Sequence, residues 1–231
     1  MLKPWDDIPD FMRIPEVKPY WELLYSKRVL LLFKRVFDLF ASVFLIILFS
    51  LPMIIIAFMI KLDSEGPVFY RQERVTAYGK HFLIHKFRTM VCNADQIGSV
   101  VTVSNDTRIT KIGSKLRNSR LDEIPQLFDV ISGNMSFVGT RPEAVKYVEL
   151  YKPEYYATLL MPAGITSEAS IQYKNESSLL NNAKDVDRVY IESILPEKMK
   201  YNLNSIREFR LLSDIKTMFR TVSAVVRKDK V

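Results

Sequence analysis

Two adjacent carboxylates, Asp122 and Glu123, sit at the centre of the stretch Lys115 to Glu143, KLRNSRLDEIPQLFDVISGNMSFVGTRPE. Arg117 and Arg120 stand just before them, and Arg141 follows in a Thr-Arg-Pro-Glu turn. An ionised carboxylate can be a nucleophile, a ligand for a hard metal, or only a helix cap. Ile124, Leu127, Phe128 and Ile131 recur at helical spacing, which predicts a short amphipathic helix from about Asp122. Pro125 fits such a helix only in its first turn, where its missing N–H costs nothing. The acidic pair is therefore expected at a helix N-terminus, where free N–H groups and the helix dipole favour the ionised form. A lone acidic residue in that place usually caps. Two together, with arginines on both sides and an apolar segment upstream, point to chemistry.

The chemistries that are missing narrow the choice. The seven glycines are scattered, with no GxGxxG and no Walker loop, so phosphates must be held by arginine, lysine or a metal. His81 and His85 lie an even number apart on an expected strand and face the same side. No HExxH or Cys/His cluster accompanies them, which argues against zinc. A Ser-His-Asp triad lacks a nucleophile elbow. What remains is carboxylates, arginines and no soft ligands, a set that suits Mg²⁺ with phosphate better than zinc.

Charge and composition agree. The 231-residue chain carries a formal charge of +7, with a pI near 9.3, so an anionic partner is expected: nucleic acid, acidic lipid or a phosphorylated substrate. Nucleic acid is disfavoured, because no recognition motif is present and the basic residues flank apolar segments. Cys92 is the single cysteine, which excludes an internal disulfide and fits a reducing compartment. No cleavable signal peptide is expected, since about thirty residues of mixed polarity precede the first apolar run.

The elements that must position the pair follow from the pattern. Met1 to Tyr20 reads as an irregular leader rich in Pro, Asp and aromatics, and Tyr20 to Phe33 as a short helix. Leu39 to Ile60 carries no charge; as a helix it reaches about 33 Å, enough for a ~30 Å hydrocarbon core. Pro52 lies inside that run and Ser50 two residues before it, a natural site for a bend. Lys27, Arg28, Lys34 and Arg35 flank one end and Lys61, Arg71 and Arg74 the other, so the charge rule assigns no outer end. A helix that enters one leaflet, bends at Ser50–Pro52 and returns keeps both basic flanks on one side; a plain span is the alternative. Pro67 to Arg74 and Lys80 to Arg88 alternate in polarity around Thr76–Gly79, which predicts a β-hairpin. Thr89 to Asp106 reads as loop and Lys111 to Arg120 as a short basic amphipathic segment. Glu143 to Leu160 reads as a helix interrupted at Pro153, and Asp185 to Ile194 as a helix ending at Pro196. Ser213 to Val226 reads as a final amphipathic helix before the basic tail Arg227 to Lys230.

From about Lys34 to this last helix the chain resembles the bacterial sugar transferase family, the monotopic phosphoglycosyl transferases that act on polyprenol phosphate. The resemblance rests on KRVFD (34–38), the Ser50-Leu-Pro52 bend, GPVFYRQER (66–74), KFRTM (86–90), RLDEIPQLFDVISGNMSFVGTRPE (120–143) and GIT (164–166). It implies an α+β, mostly helical fold: a re-entrant membrane helix, a small β-hairpin and amphipathic interfacial helices around a cytosolic catalytic core. The expected division is an extension at 1–33, the re-entrant helix at 34–61 and the catalytic domain at 62–231. It implies transfer of a sugar 1-phosphate from a UDP-sugar to undecaprenyl (polyprenol) phosphate, with release of UMP, at the cytoplasmic face of the bacterial inner membrane. The product would initiate a surface glycan: exopolysaccharide, capsule, O-antigen or glycoprotein glycan. Asp122 would be the nucleophile forming a covalent phosphosugar intermediate, and Glu123 would hold Mg²⁺. Lys86, Arg88, Arg117, Arg120, Arg141 and Pro142 would contact substrate. Asp214 is expected to pair with Lys34 or Arg35 at the base of the anchor, where an exposed pair contributes little. Membrane lipids and downstream glycosyltransferases are the implied partners; the oligomeric state is open.

Two positions depart from the family pattern. Thr140-Arg141-Pro142 stands for Pro-Arg-Pro, with the arginine kept. MPAGIT at 161–166 replaces a basic residue before Pro-Gly with Pro162-Ala163, so a phosphate contact is lost there or supplied from elsewhere. That turn leaves a second reading, a catalytically weak membrane scaffold of a glycan assembly complex.

Overall fold

The computed structural model describes residues 2–94, 106–179 and 185–226. Within them the chain is mostly helical, with two small two-stranded sheets. Most of the expected loop at 89–106 and all of the basic tail at 227–230 lie outside the described residues.

Helix α1 (Lys18–Ser26) has Pro19 in its first turn, and a short break at Lys27 separates it from α2 (Arg28–Asp63). At 36 residues α2 is about 54 Å long. By length and composition it could cross a membrane. Its buried positions form one stripe, with Lys34, Asp38, Ser42, Ile56 and Ile60 buried and Ala41, Leu45, Ile46 and Met53 packed against the body beside them. Steps of three and four residues keep such a stripe on one side of a helix. The opposite side is apolar and bare; Phe40 is 75% exposed, and Ile47, Leu51, Ile54 and Phe58 are exposed with it. The chain stays helical through Pro52. Pro52 cannot donate to the carbonyl one turn back, and Ser50 Oγ donates to Ile47 O at 2.8 Å just before it.

Polar pins hold both ends of α2. Near its start Lys34 Nζ meets Asp214 Oδ2 at 2.6 Å, and Arg35 donates to Val130 O and Ile131 O at 2.7 and 3.1 Å. Of the two cations expected for Asp214, Lys34 makes the pair. It is largely buried, not exposed, and burial raises the Asp214 pKa despite Lys34. Near the end of α2, Arg88 donates to Ser64 O and Glu65 O at 2.6 and 2.7 Å, capping carbonyls with no helical partner. Asp63 Oδ2 accepts from Ile112 N at 3.0 Å at the start of α3 (Lys111–Ser119).

Strands β1 (Phe69–Val75) and β2 (His81–Phe87) form the expected antiparallel hairpin, in register from Phe69 opposite Phe87 to Val75 opposite His81. Tyr78 and Gly79 both have positive φ in its turn, the backbone a tight hairpin requires. His85 backbone N–H and Nδ1 both meet the Asp129 carboxylate at 2.8 Å, fastening β2 to α4 (Gln126–Ile131). The second sheet pairs β3 (Met135–Val138) in parallel with β4 (Ala163–Thr166). Gly139 and Gly164 cross so closely that a Cβ on Gly164 would sit 2.2 Å from Gly139 N. Thr76 Oγ1 donates to Asn134 O and accepts from Ala163 N, at 2.6 and 3.0 Å, tying the hairpin turn to both strands. Ala163, in the altered turn, joins this junction through its backbone N–H alone.

The segment expected as an extension contributes to the main core. Ile8, Met12, Val17, Tyr20 and Leu24 are buried against Ala157, Leu160, Leu203, Ile206 and Phe209. The expected helix at 143–160 is instead one turn at Val145–Val148 and a 3-10 segment at Pro153–Leu160. The helix expected to end at Pro196 continues through it. A π turn at Tyr190–Ile194 leads into α6 (Leu195–Arg207), where Pro196 occupies the tolerant first turn. Between β4 and these lies α5 (Glu168–Gln172), and α7 (Leu211–Val226) closes the described chain.

Candidate active site

Thr110 Oγ1 caps α3 by accepting from Gly113 N at 3.0 Å, and α3 ends where Arg120 turns left-handed, φ 57°. For a side chain with a Cβ this backbone costs about 1 kcal/mol, a strain that recurs at functional sites. The chain then makes one 3-10 turn, Leu121–Glu123, before α4 begins at Gln126. The carboxylates thus lie in the turn before the helix, not on its first free N–H groups as the sequence spacing predicts.

The two carboxylates differ in their surroundings. Glu123 Oε1 accepts from Lys86 Nζ at 2.9 Å and Arg141 Nη2 at 2.5 Å, and Oε2 from Arg141 Nη1 at 3.3 Å. Burial pushes its carboxyl pKa up, but Arg141 and Lys86 outweigh that and hold it well below the usual range. Asp122 is 8% exposed, and its Oδ1 has no hydrogen-bond partner among the described residues. Burial raises its pKa, the neighbouring Glu123 raises it further, and Lys86, Arg117 and Arg120 offset only part. The expectation that position favours ionised Asp122 is corrected here, because desolvation outweighs the nearby cations. One carboxylate is saturated and firmly ionised; the other is buried, unsatisfied and raised in energy when charged.

The cations come from separate elements. Lys86 is on β2, Arg117 on α3, Arg120 at its left-handed end, and Arg141 follows β3. Burial lowers the pKa of both Lys86 and Arg117, and the carboxylates oppose it. Arg120 Nη2 also donates to Lys174 O at 3.1 Å, across the cleft. Pro142 lines the cleft, and its carbonyl accepts from Arg74 Nη1 at 3.4 Å. Arg88 also reaches the cleft wall; its Nη1 and Nη2 bond the end of α2, while its buried Nε has no hydrogen-bond partner among the described residues. Ser50 and Pro52 lie exposed on α2 and do not line the cleft.

The cleft is open and large, about 1340 Å³. At one end it holds Asp122 and Glu123; its apolar wall includes Leu45 and Phe49 of α2 and Val222 and Val225 of α7. Polar residues that sequence reading did not single out as site residues also line it, among them Arg74, Glu143, Glu176, Tyr190 and Lys198. The alternation of Gln72 and Arg74 on β1 could have placed Arg74 on the Gln72 face, and Glu143 closes the quoted motif. Tyr190 and Lys198 are joined across a π turn, which no simple periodicity reveals.

The donor set fits a hard divalent cation. Among the described residues no three carboxylate, histidine or cysteine groups gather. Mg²⁺, however, commonly takes one or two carboxylates and completes its shell with water and substrate phosphate. The unpartnered Oδ1 of Asp122 would be available to it, and Glu123 would become so when Lys86 or Arg141 turns to a phosphate.

Residues 29–228 match the family model described as bacterial sugar transferase. The chain is 34% identical over 196 residues to a UDP-N-acetylgalactosamine-undecaprenyl-phosphate N-acetylgalactosaminephosphotransferase of Aeromonas hydrophila, covering 84% of this chain and 43% of that protein. It is 34% identical to a UDP-glucose:undecaprenyl-phosphate glucose-1-phosphate transferase of Klebsiella pneumoniae, covering 83% of this chain and 40% of that protein. Against a protein of the same name from Caulobacter vibrioides it is 33% identical over 199 residues, 85% of this chain and 70% of that one. The chain thus spans less than half the length of the first two.

Proposed function

The chain belongs to the bacterial sugar transferase family, and on that footing we propose that it transfers a sugar 1-phosphate from a UDP-sugar to undecaprenyl phosphate. One observation carries the reading: a single cleft joins an acidic pair ringed by cations to an apolar wall built from α2 and α7. A nucleotide sugar needs the first and a polyprenol chain the second.

In the first step an Asp122 carboxylate oxygen attacks the sugar-linked phosphorus. A new P–O bond forms, the bond to the bridging oxygen breaks, and UMP leaves with the electron pair. In the second step a phosphate oxygen of undecaprenyl phosphate attacks the same phosphorus. The Asp122–phosphorus bond breaks, the carboxylate is regenerated, and a sugar–diphosphate–lipid results. Asp122 suits this role because it is desolvated and lacks a partner at Oδ1, so little solvation is lost on attack. Lys86, Arg117, Arg120 and Arg141 stabilise charge at the phosphates. Glu123 would hold Mg²⁺, which when bound neutralises diphosphate charge. Lys86 and Arg141, now on Glu123, have phosphate oxygens as their alternative partners.

The placement proposed for α2 is re-entrant, in the cytoplasmic leaflet of the inner membrane. Both of its ends are pinned to the body that carries the site, while its outer face is apolar and bare. The exposed Leu212 (79%), Phe219 and Val222 give α7 a matching face to lie on the headgroups. The scaffold alternative rested on the turn at 161–163. The cations contributed by other segments, Lys86, Arg117, Arg120 and Arg141, favour the enzyme.

The test is UMP release in nanodiscs with Mg²⁺, undecaprenyl phosphate and a panel of UDP-sugars, beside Asp122→Asn. Release that requires both the lipid and Asp122 is expected. Full release by Asp122→Asn would overturn the mechanism, and no release with any donor would return the scaffold reading.

A further inference from the structure

We infer that Glu143, Tyr190 and Lys198, with Glu176 beside them, form the pocket that selects the sugar of the donor. This rests on the reading of the cleft as a UDP-sugar site. The three are buried yet line the same cleft as Asp122. Tyr190 Oη donates to Glu143 Oε1 at 2.8 Å. Lys198 Nζ donates to Tyr190 Oη at 2.8 Å and to Glu176 Oε2 at 3.0 Å, and lies 3.4 Å from Glu143 Oε1.

Around Asp122 and Glu123 stand Lys86, Arg117, Arg120 and Arg141, an excess of positive charge that suits phosphate. Around Glu143 and Glu176 the described residues place Lys198 and Arg74, and Arg141 acts on both carboxylates from the phosphate side. Paired carboxylates, an ammonium and a phenol suit a ligand rich in hydroxyls, which both donates and accepts.

Position decides between the sugar and the nucleoside. Glu143 is two residues beyond Arg141, whose guanidinium grips Glu123. The sugar is bonded to the phosphorus that Asp122 attacks, whereas the nucleoside lies a further phosphate away. The pocket adjoining Arg141 therefore belongs to the sugar. Stability alone is a poor reason to bury such a network, since apolar side chains of similar volume are often as stable.

The experiment compares kcat/KM for UDP-glucose, UDP-galactose, UDP-N-acetylglucosamine and UDP-N-acetylgalactosamine, with UMP as product inhibitor, in wild type, Lys198→Met and Glu143→Gln. A polar pocket that loses a partner should change the ratio between the best donor and its epimer by about tenfold or more, with UMP inhibition unchanged. Tyr190→Phe removes a single hydroxyl and guards against misfolding in the other two; its epimer ratio should move in the same direction. Equal losses for all four sugars, or weakened UMP inhibition with unchanged ratios, would overturn the inference and assign the network to the framework or the nucleoside. Wild-type protein that turns over none of the four would instead contradict the UDP-sugar reading beneath it.

Discussion

Asp38 Oδ2 accepts the Ser136 hydroxyl at 2.7 Å, joining a buried carboxylate on the long apolar helix to the strand that runs on to Arg141. Asp38 is 2% exposed, and its other oxygen faces Phe137 N at 3.5 Å. The long apolar helix and the strand leading to Arg141 are thereby held in one frame.

Removing that carboxylate takes the acceptor from Phe137 N–H and leaves Ser136 Oγ the longer bond to Val138 O, at 3.2 Å. Asp38→Ala should cost about 1–3 kcal/mol of stability and lower the rate of UMP release beyond the loss of folded protein. Thermal melting with turnover per folded molecule measures both. Full activity per folded molecule would show that the frame does not extend to Arg141.

Asp122 weighs against folding. Its folded pKa lies above the unfolded value, so the folded state holds the proton more tightly. The destabilisation is absent below the unfolded pKa, grows as pH rises, and is complete above the folded pKa. Asp122→Asn should therefore raise the melting temperature at neutral pH, by about 2–4 °C for each kcal/mol relieved. The gain should vanish under acid conditions. A lower melting temperature at pH 7 would contradict the assignment of Asp122 as a desolvated, unsatisfied carboxylate.

The Lys34–Asp214 pair is a second largely buried arrangement, in which burial raises the Asp214 pKa despite Lys34. Lys34→Met alone strands a carboxylate and should cost about 3–5 kcal/mol, with faster proteolysis of α7. Lys34→Met with Asp214→Leu should recover most of that stability. An equally unstable double variant would mean that the charges themselves, not their burial, hold α7.

Arg88 separates a framework role from a substrate role. Its guanidinium caps the end of α2 through Ser64 O and Glu65 O. Arg88→Lys should lower the melting temperature while leaving KM for the UDP-sugar within about twofold, because a point charge cannot replace a fork with several donors. A large rise in KM at unchanged stability would return Arg88 to the substrate-binding set that the resemblance implies.

Much of this arrangement is legible in the sequence. The apolar run and the hairpin carry strong local patterns: both strands fall within two residues of theirs, whereas the long helix begins at Arg28, eleven residues before the uncharged run, and takes in the end of the helix expected at 20–33. The ionisation of Asp122 was not legible, because spacing places a side chain on a helix but says nothing of its desolvation. The stripe that runs from Lys34 to Ile60 was hidden by uniform apolarity, in which a buried face and a bare face read alike. Tyr190 and Lys198 were missed because their junction depends on a π turn, and the junction that Ala163 joins depends on a parallel strand pair remote in sequence.

The measurement that bears most directly on the central claim is intact and peptide mass spectrometry of the protein held with Mg²⁺ and its UDP-sugar, without lipid acceptor. The account predicts a sugar phosphate on the peptide containing Asp122, formed with matching release of UMP and discharged when undecaprenyl phosphate is added. An unmodified Asp122 peptide, in protein that still releases UMP once lipid is supplied, would contradict it.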